Sequence, residues 1–324
     1  MKKVRIAING FGRIGRAFYK IAVKRPEIEV VAVNDLGSKD NLEYLLKHDS
    51  VYGTWDGAFD VKFLQEKEPA KLPWKDLNID VVVESTGFFT TYDKAKVHLD
   101  AGAKRVVITA PTRDGEAATV LMGVNDEKLG ACQVSSNASC TTNAASPLIA
   151  ILDEALGIEK AVLNTAHGYT ASQSLVDGPS RKGMREGRAA AINIVPSSTG
   201  AAIAVTKAFT KLDGLFDGIS MRVPVAAGSL VDVTFISKKN TNAKEVNEIL
   251  KKASEDKRWQ GIFTVTEEEL VSSDILGSPY GSVADLTLTR VVGGNLVKVL
   301  AWYDNEMGYA YTLADHVIKA GSHI

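Results

Sequence analysis

Val4-Arg5-Ile6-Ala7-Ile8-Asn9-Gly10-Phe11-Gly12-Arg13-Ile14-Gly15-Arg16 decides how the first half of the chain folds. Val4–Ile8 is a short apolar run bounded by glycine, the form of a strand buried on both faces of a parallel sheet. The glycines follow in G-x-G-x-x-G spacing, and Ile14, Ala17, Phe18 and Ile21 then recur at helical intervals. A second strand, Glu29–Val33, ends in Asn34-Asp35. Glycines alone mark any tight strand-to-helix turn, and a lone Asp can be a helix cap. Strand, glycine turn, helix and an acid about 20 residues on together make a dinucleotide fingerprint. Gly10 and Gly12 let the backbone approach a pyrophosphate, Gly15 allows close helix–strand packing, and Phe11, Arg13 and Ile14 lie at the helix start that faces the phosphate charge. Asp35, with Asn34 beside it, would accept from the adenosine ribose hydroxyls and repel a 2′-phosphate.

The alternation continues. Ile79–Val83 is a strand ending in Glu84-Ser85-Thr86-Gly87-Phe88, a helix follows near residues 92–101, and Arg105–Thr109 is the next strand. Thr119–Met122 and Gln133–Ser135 add two more. Hydroxylated strand ends such as Thr86 and Thr109 stand where an open parallel sheet meets its ligand.

At Ser136-Asn-Ala-Ser-Cys-Thr-Thr-Asn143 a polar strand end gives way to an apolar run, Ala144–Leu156, that reads as a helix. Ser139 or a neighbour can cap it, and Pro147 falls in its first two turns, where proline is best tolerated. A small buried cysteine is the ordinary reading of Cys140. At a helix start, however, the field of the N-terminus lowers a thiol's pKa and favours the thiolate. Beyond the helix, strands dominate: Lys160–His167, Gly218–Val223, Leu230–Ser237 and Leu296–Tyr303, with helical stretches near residues 199–209 and 243–254. Gly293-Gly294 sits between two strands in hairpin spacing. Between His167 and Ile192 lies a long stretch without clear periodicity, holding Arg181, Lys182, Met184, Arg185 and Arg188. Asn305–Lys319 is a closing helix.

The expected architecture is α/β: a Rossmann-type dinucleotide-binding domain over residues 1–139, and an α+β catalytic domain with a mostly antiparallel or mixed sheet over 140–304. The C-terminal helix, 305–324, is expected to pack back on the first domain. The 324 residues suffice for two cores, and 45% apolar and 24% charged content with a net charge of −1 are those of a soluble globular chain. The balanced charge gives no reason to expect nucleic acid or a membrane surface as partner, and no metal is expected. Two cysteines, Cys132 and Cys140, make no disulfide framework. Met1–Ile6 reads as a strand, not a signal peptide, so a cytoplasmic protein is expected.

The segments Asn9–Arg16, Val33-Asn-Asp35, Ser136–Asn143, Ala166-His-Gly-Tyr-Thr170, Ser198-Thr-Gly-Ala-Ala202, Met221-Arg-Val-Pro224 and Trp302-Tyr-Asp-Asn-Glu306 run in one order from end to end. In them the chain resembles the phosphorylating glyceraldehyde-3-phosphate dehydrogenases. The resemblance implies NAD as cofactor and D-glyceraldehyde 3-phosphate and inorganic phosphate as substrates. It implies Cys140 as nucleophile and His167 as base, with 1,3-bisphosphoglycerate released from a thioester. Thr170 and Arg222 would hold the substrate phosphate, and Ser139, Thr199 and Gly200 the inorganic one, with Thr141 nearby. Asn305 would meet the nicotinamide carboxamide, with Tyr309 beside that ring. A homotetramer is implied, with Gly178-Pro179 of the long loop shaping a neighbour's adenosine pocket.

The chain departs from the family in a shortened 53–74 region, in Ala144 where a second cysteine is common, in Met307 where tryptophan is common, and in Val225-Ala-Ala-Gly228. Erythrose-4-phosphate dehydrogenase is the nearest alternative, but differs at the Thr170 and Ser198–Ala201 positions, where this chain keeps the phosphate-binding pattern. A Cys-His acyltransferase or hydrolase has no use for the glycine fingerprint. An inactive NAD-binding scaffold has none for a Cys–His pair.

Overall fold

Apolar runs alternating with amphipathic helices build the first of two compact units in the computed structural model, which describes residues 3–112, 114–180 and 183–324. This unit takes in the chain up to Ser139 together with Ala310–Ile324; the second is Cys140–Tyr309. In chain order the first unit contains β1 (Val4–Asn9), α1 (Arg13–Ala22), β2 (Ile28–Asn34), α2 (Lys39–Lys47), the short pair β3 (His48–Asp49) and β4 (Gly53–Thr54), and β5 (Lys62–Leu64). Then come β6 (Val81–Glu84), α3 (Tyr92–Ala95), α4 (Val97–Asp100), β7 (Arg105–Ile108), β8 (Ala118–Thr119) and β9 (Val134–Ser136).

Its main sheet has the order β5-β2-β1-β6-β7-β9-β8, and every pairing in it is parallel. The chain works outward from β1 to one edge, then returns to β6 on the other side. The crevice that binds ligands in such sheets opens at that switch, beyond the carboxyl ends of β1 and β6. Gly15 is fixed by packing, since a Cβ there would sit 2.2 Å from the Gly10 carbonyl oxygen. The shortened edge is closed by aromatic rings: Phe59 packs against both Phe11 and Tyr19, and Trp55 meets Tyr19 edge-on.

Two expectations are corrected here. Of the strand anticipated over Thr119–Met122, only Ala118–Thr119 pairs with β9; the Leu121 N–H goes to Asn125 Oδ1 and the chain turns away. The helix anticipated near 92–101 is broken into α3 and α4 at Lys96.

The second unit contains α5 (Cys140–Leu156), β10 (Ile158–Gly168), β11 (Val195–Ser198), α6 (Ala201–Ala208), β12 (Phe216–Val223), β13 (Ser229–Ser237) and α7 (Ala243–Ser254). It continues with β14 (Phe263–Thr266), β15 (Ser282–Asp285), β16 (Arg290–Val292), β17 (Leu296–Tyr303) and the start of α8 (Met307–Ser322). Its sheet has the order β11-β12-β10-β13-β17-β15-β14, with β16 also on β17. The β10/β12 and β14/β15 pairs are parallel and the others antiparallel, so the sheet is mixed. Alternation along β13 and β17 turns Val231, Val233, Phe235, Val297 and Val299 into the core. Each such side chain contributes roughly 1.5–3 kcal/mol on burial. The opposite face leaves Val162, Ile219, Met221 and Leu296 exposed. Gly293 and Gly294, both at positive φ, turn β16 into β17 as their spacing predicts.

Helix α5 starts at Cys140, four residues earlier than the apolar run suggests, which puts Pro147 eighth in the helix and past its first two turns. The strand-to-helix turn holds Ala138 at φ +54°, a left-handed conformation for a residue with a Cβ. Ser136 Oγ accepts the Ala138 N–H and so supports that turn. In the loop between β10 and β11, Met184, Arg185 and Arg188 are described, whereas Arg181 and Lys182 lie outside the described residues.

Candidate active site

A short helix start, two parallel strands and a buried tyrosine bring the reactive side chains of the second unit together. Cys140 is the first residue of α5, and His167 lies near the end of β10. Register places Arg222 on β12 directly beside His167. Cys140 Sγ is 3.3 Å from His167 Nε2, and Arg222 Nη1 is 2.6 Å from Nδ1 on the far side of the ring. The Gly168 carbonyl also lies 2.6 Å from Nδ1. One nitrogen cannot both donate and accept. With its proton on Nδ1, donated to Gly168, the ring turns a lone pair toward the thiol; with the proton on Nε2, Arg222 is the donor to Nδ1. Beneath the pair, the Tyr303 hydroxyl bridges Thr141 Oγ1 at 2.9 Å and Thr165 Oγ1 at 2.8 Å, and its ring stands edge-on to His167.

Burial, reinforced by the Arg222 charge, lowers the His167 pKa to about 3, so the imidazole is neutral in the resting site. Burial also pushes the Cys140 thiol up, against the downward pulls of Arg222 and of Thr141. This corrects the expected lowering. The helix start is present, but desolvation of the charged form outweighs it. The resting pair is therefore a thiol beside a neutral base. Burial likewise raises the Tyr303 hydroxyl, and a thiolate at Cys140, once formed, acts in the same sense.

The other anticipated residues divide into two groups. Asn305 Oδ1 accepts from the Gly228 N–H at 3.1 Å and the Ser229 hydroxyl at 3.0 Å, which fixes the direction of its amide. The Thr170 hydroxyl is engaged with Ser172 and Thr199 Oγ1 with the Ala201 N–H, so both are held in their own loops. Gly200 is the N-cap of α6 with open space at its Cβ position, and Ser139 is half-buried just ahead of α5. Tyr309 is buried in α8.

In the first unit, a cleft of about 610 Å³ opens at the switch point, lined by Asn9, Gly10, Gly12, Asn34, Asp35, Thr86 and their neighbours. Asp35 takes the Phe11 N–H on one carboxylate oxygen and the Gly37 N–H on the other, tying the glycine turn to the end of β2. A Cβ at Gly10 would meet Ser85 and Thr86 backbone atoms at 2.7 Å, but at Gly12 it would meet nothing within 4 Å. The space above Gly12 is therefore cleft, and the open approach, the helix start and the carboxylate together fit a dinucleotide's pyrophosphate and ribose. Phe11 turns its ring into the core, Arg13 pairs with Asp49 at 2.7 Å, and the Thr109 N–H goes to the Glu84 carbonyl. Ile14 is half-buried on α1.

Family models match both units: residues 4–92 match the NAD binding domain of glyceraldehyde 3-phosphate dehydrogenase, and residues 139–305 its C-terminal domain. The glyceraldehyde-3-phosphate dehydrogenase of Mycobacterium avium is 47% identical across 98% of each chain. That of Clostridium pasteurianum is 45% identical across 95% of this chain and 96% of its own, and that of Colletotrichum lindemuthianum 43% across 98% of each. The chain belongs to the glyceraldehyde-3-phosphate dehydrogenase family.

For a family member, the sequence reading left out Tyr303 and Ser229 near the Cys–His pair, and Leu36, Glu66, Lys67, Pro69 and Phe88 around the NAD cleft. Tyr303 stands inside the quoted Trp302–Glu306 segment and Phe88 ends the quoted Glu84–Phe88 stretch; the others carry no local signal. Both cysteines are free thiols, and no helix among the described residues is long and apolar enough to cross a membrane.

Proposed function

We propose that this chain oxidises D-glyceraldehyde 3-phosphate to 1,3-bisphosphoglycerate, with Cys140 as nucleophile and His167 as base. The observation that carries the reading is the 3.3 Å approach of Cys140 Sγ to a neutral His167 Nε2, with Arg222 against the opposite ring nitrogen, in a chain of this family. His167 takes the thiol proton as Sγ bonds to the aldehyde carbon and passes it to the former carbonyl oxygen, giving a hemithioacetal hydroxyl and a neutral imidazole again. NAD, when bound, supplies the hydride acceptor. His167 then accepts the hydroxyl proton as the carbon becomes a thioester. An inorganic phosphate oxygen attacks that carbon, the C–S bond breaks, and His167 returns a proton to sulfur.

Two tetrahedral anions have to be held. Arg222 and Thr170 are assigned to the substrate phosphate; Ser139, Thr141, Thr199 and Gly200 to the inorganic one. A forked guanidinium, hydroxyls and a helix-start N–H are the donors such anions need. Gly10–Gly15, Asn34, Asp35, Thr86 and Thr109 are assigned to NAD, with Asn305 and Tyr309 at its nicotinamide end. The domain reading is 1–139 for NAD, 140–304 for catalysis and 305–324 as a returning helix.

A cytoplasmic homotetramer is part of this reading. It is supported by the uncovered sheet face bearing Val162, Ile219, Met221 and Leu296, and by Leu175, Val176, Met184, Ile192 and Ile194 exposed along the 169–194 loop. Gly178-Pro179 of that loop are assigned to a neighbour's adenosine pocket. Free thiols suit a reducing compartment.

The test of the chemistry is steady-state NADH formation by two single variants. Cys140→Ser should lose at least about 10³-fold in kcat while keeping its NAD affinity, and Cys132→Ser should stay near wild type. Comparable turnover by Cys140→Ser would remove the proposed mechanism.

A further inference from the structure

Behind the floor of the NAD cleft lies a polar cluster that the mechanism does not use. Trp74 and His98 are fully buried, and Glu84, Asn9 and Asn34 nearly so. A carboxylate taken out of water has to be surrounded by donors. Glu84 is: its Oε2 accepts Asn9 Nδ2 at 2.6 Å and faces His98 Nε2 at 3.0 Å. Its Oε1 accepts the Thr86 N–H at 2.8 Å and the Thr86 hydroxyl.

The direction of each bond can be read from chemistry. An indole N–H only donates, and Trp74 Nε1 lies 3.0 Å from His98 Nδ1. Nδ1 is therefore the acceptor, the ring proton sits on Nε2, and His98 donates to Glu84. The 3.5 Å approach of Asn9 Nδ2 to that same Nε2 is then donor to donor and holds nothing. Because Asn9 gives its N–H to Glu84, its Oδ1 faces Asn34 Nδ2 at 2.7 Å. Asn34 Oδ1 in turn accepts the Glu66 N–H at 2.8 Å. Polarity thus passes without a break from Trp74 through His98 to Glu84, and Glu84 in turn fixes Asn9 and Thr86. Asn9, Asn34, Glu66 and Thr86 all line the cleft; Trp74, His98 and Glu84 do not.

We propose that Trp74, His98 and Glu84 are positioning residues for NAD: they set, from behind, which donors and acceptors the cleft presents. The inference rests on NAD being the cofactor of this cleft. Trp74→Phe deletes one donor three links from the cleft-lining Asn9 and Thr86 and leaves the cleft's own residues in place. His98 then loses its fixed tautomer, and a ring with its proton on Nδ1 turns a lone pair toward the Glu84 carboxylate. Glu84→Gln keeps the shape but turns an acceptor into a donor among donors.

Calorimetric titration of NAD into the wild type and the variants tests this, alongside KM and kcat at saturating NAD. Trp74→Phe and Glu84→Gln should each weaken NAD by at least about tenfold, the scale of one lost charge-assisted bond, and raise its KM with kcat held within about twofold. His98→Gln, which keeps a donor toward Glu84, should bind NAD more tightly than His98→Leu. If Glu84→Gln does not fold, Trp74→Phe and the His98 pair carry the test. NAD affinity within twofold of wild type in folded Trp74→Phe, or equal affinity of the two His98 variants, overturns the inference. Absence of binding to the wild type would instead overturn the cofactor reading on which it rests.

Discussion

The two sites of this chain are built from different materials. The NAD cleft of the first unit is mostly backbone: a glycine turn, strand ends and N–H groups, with the Asn9 and Asn34 amides beside them and the Glu84 carboxylate, His98 and Trp74 behind. The Cys–His site of the second unit is mostly side chains, converging on one imidazole from three elements. A backbone site is broken by adding atoms, because its geometry tolerates no Cβ where the chain approaches itself. A side-chain site is broken by removing a functional group, and its fold survives. Single substitutions in each site separate these two modes of failure.

The largest effect is expected from Gly10→Ala. Gly10 has φ +94°, and a Cβ there meets backbone at 2.7 Å. The first unit should lose at least about 2–4 kcal/mol of stability, read as a drop in urea midpoint. Gly12→Ala sharpens the contrast. Its backbone is extended and its Cβ meets nothing, so the midpoint should hold while NAD affinity falls by about tenfold. Equal loss of stability in both variants would mean that the space above Gly12 is not ligand space.

Arg222→Gln attacks the other site. The variant removes the guanidinium at His167 Nδ1 and, on the assignment proposed above, a charge-assisted partner of the substrate phosphate. The KM for glyceraldehyde 3-phosphate should rise about 10- to 100-fold with NAD affinity unchanged. Initial rates over a substrate series decide it, and an unchanged KM would take Arg222 out of the phosphate site.

The sequence made these two sites legible to different degrees, for physical reasons. Glycine spacing is a local constraint, so the turn at Gly10–Gly15 and the acid at Asp35 could be placed from the chain alone. The start of α5 was legible only to within a turn: a cap at Ser139 or a neighbour puts it near Cys140, as observed, whereas the apolar run begins at Ala144. Thr141, Thr142 and Asn143 are weak helix formers, and tertiary burial overrides that preference. The same burial explains the raised Cys140 thiol, since a helix field can be anticipated from position whereas desolvation depends on what packs around it. Arg222 beside His167 depends on the register between β10 and β12, 55 residues apart, and only family resemblance singled it out. Trp74, His98 and Glu84 come from a turn, α4 and β6 with no shared periodicity, so no pattern in the chain announces their contact.

A smaller effect compares the buried histidines of the two units. His167 in the second and His316 in the first both have pKa values of about 3, because burial disfavours their charged forms. His316 lies 2.8 Å from Ser135 Oγ and 3.1 Å from Asn137 Oδ1. Unfolding restores the ordinary value near 6.5, so below that pH the unfolded chain binds protons that the folded chain refuses. Stability is therefore fully present above pH 6.5 and falls as pH drops toward 3. Between pH 7 and pH 5 each histidine should cost about 2 kcal/mol, and His316→Asn should remove one of the two contributions. Urea unfolding of wild type and variant at the two pH values measures it; an equal pH dependence in both would show that His316 is already charged in the fold.

The central claim is that oxidation stops at a Cys140 thioester which phosphate, not water, releases. It is tested most directly by following NADH from glyceraldehyde 3-phosphate and NAD at micromolar enzyme, with and without inorganic phosphate. The account predicts sustained turnover with phosphate, and without it a burst of about one NADH per active site followed by a near halt. Sustained turnover at the same rate in the absence of phosphate would contradict it.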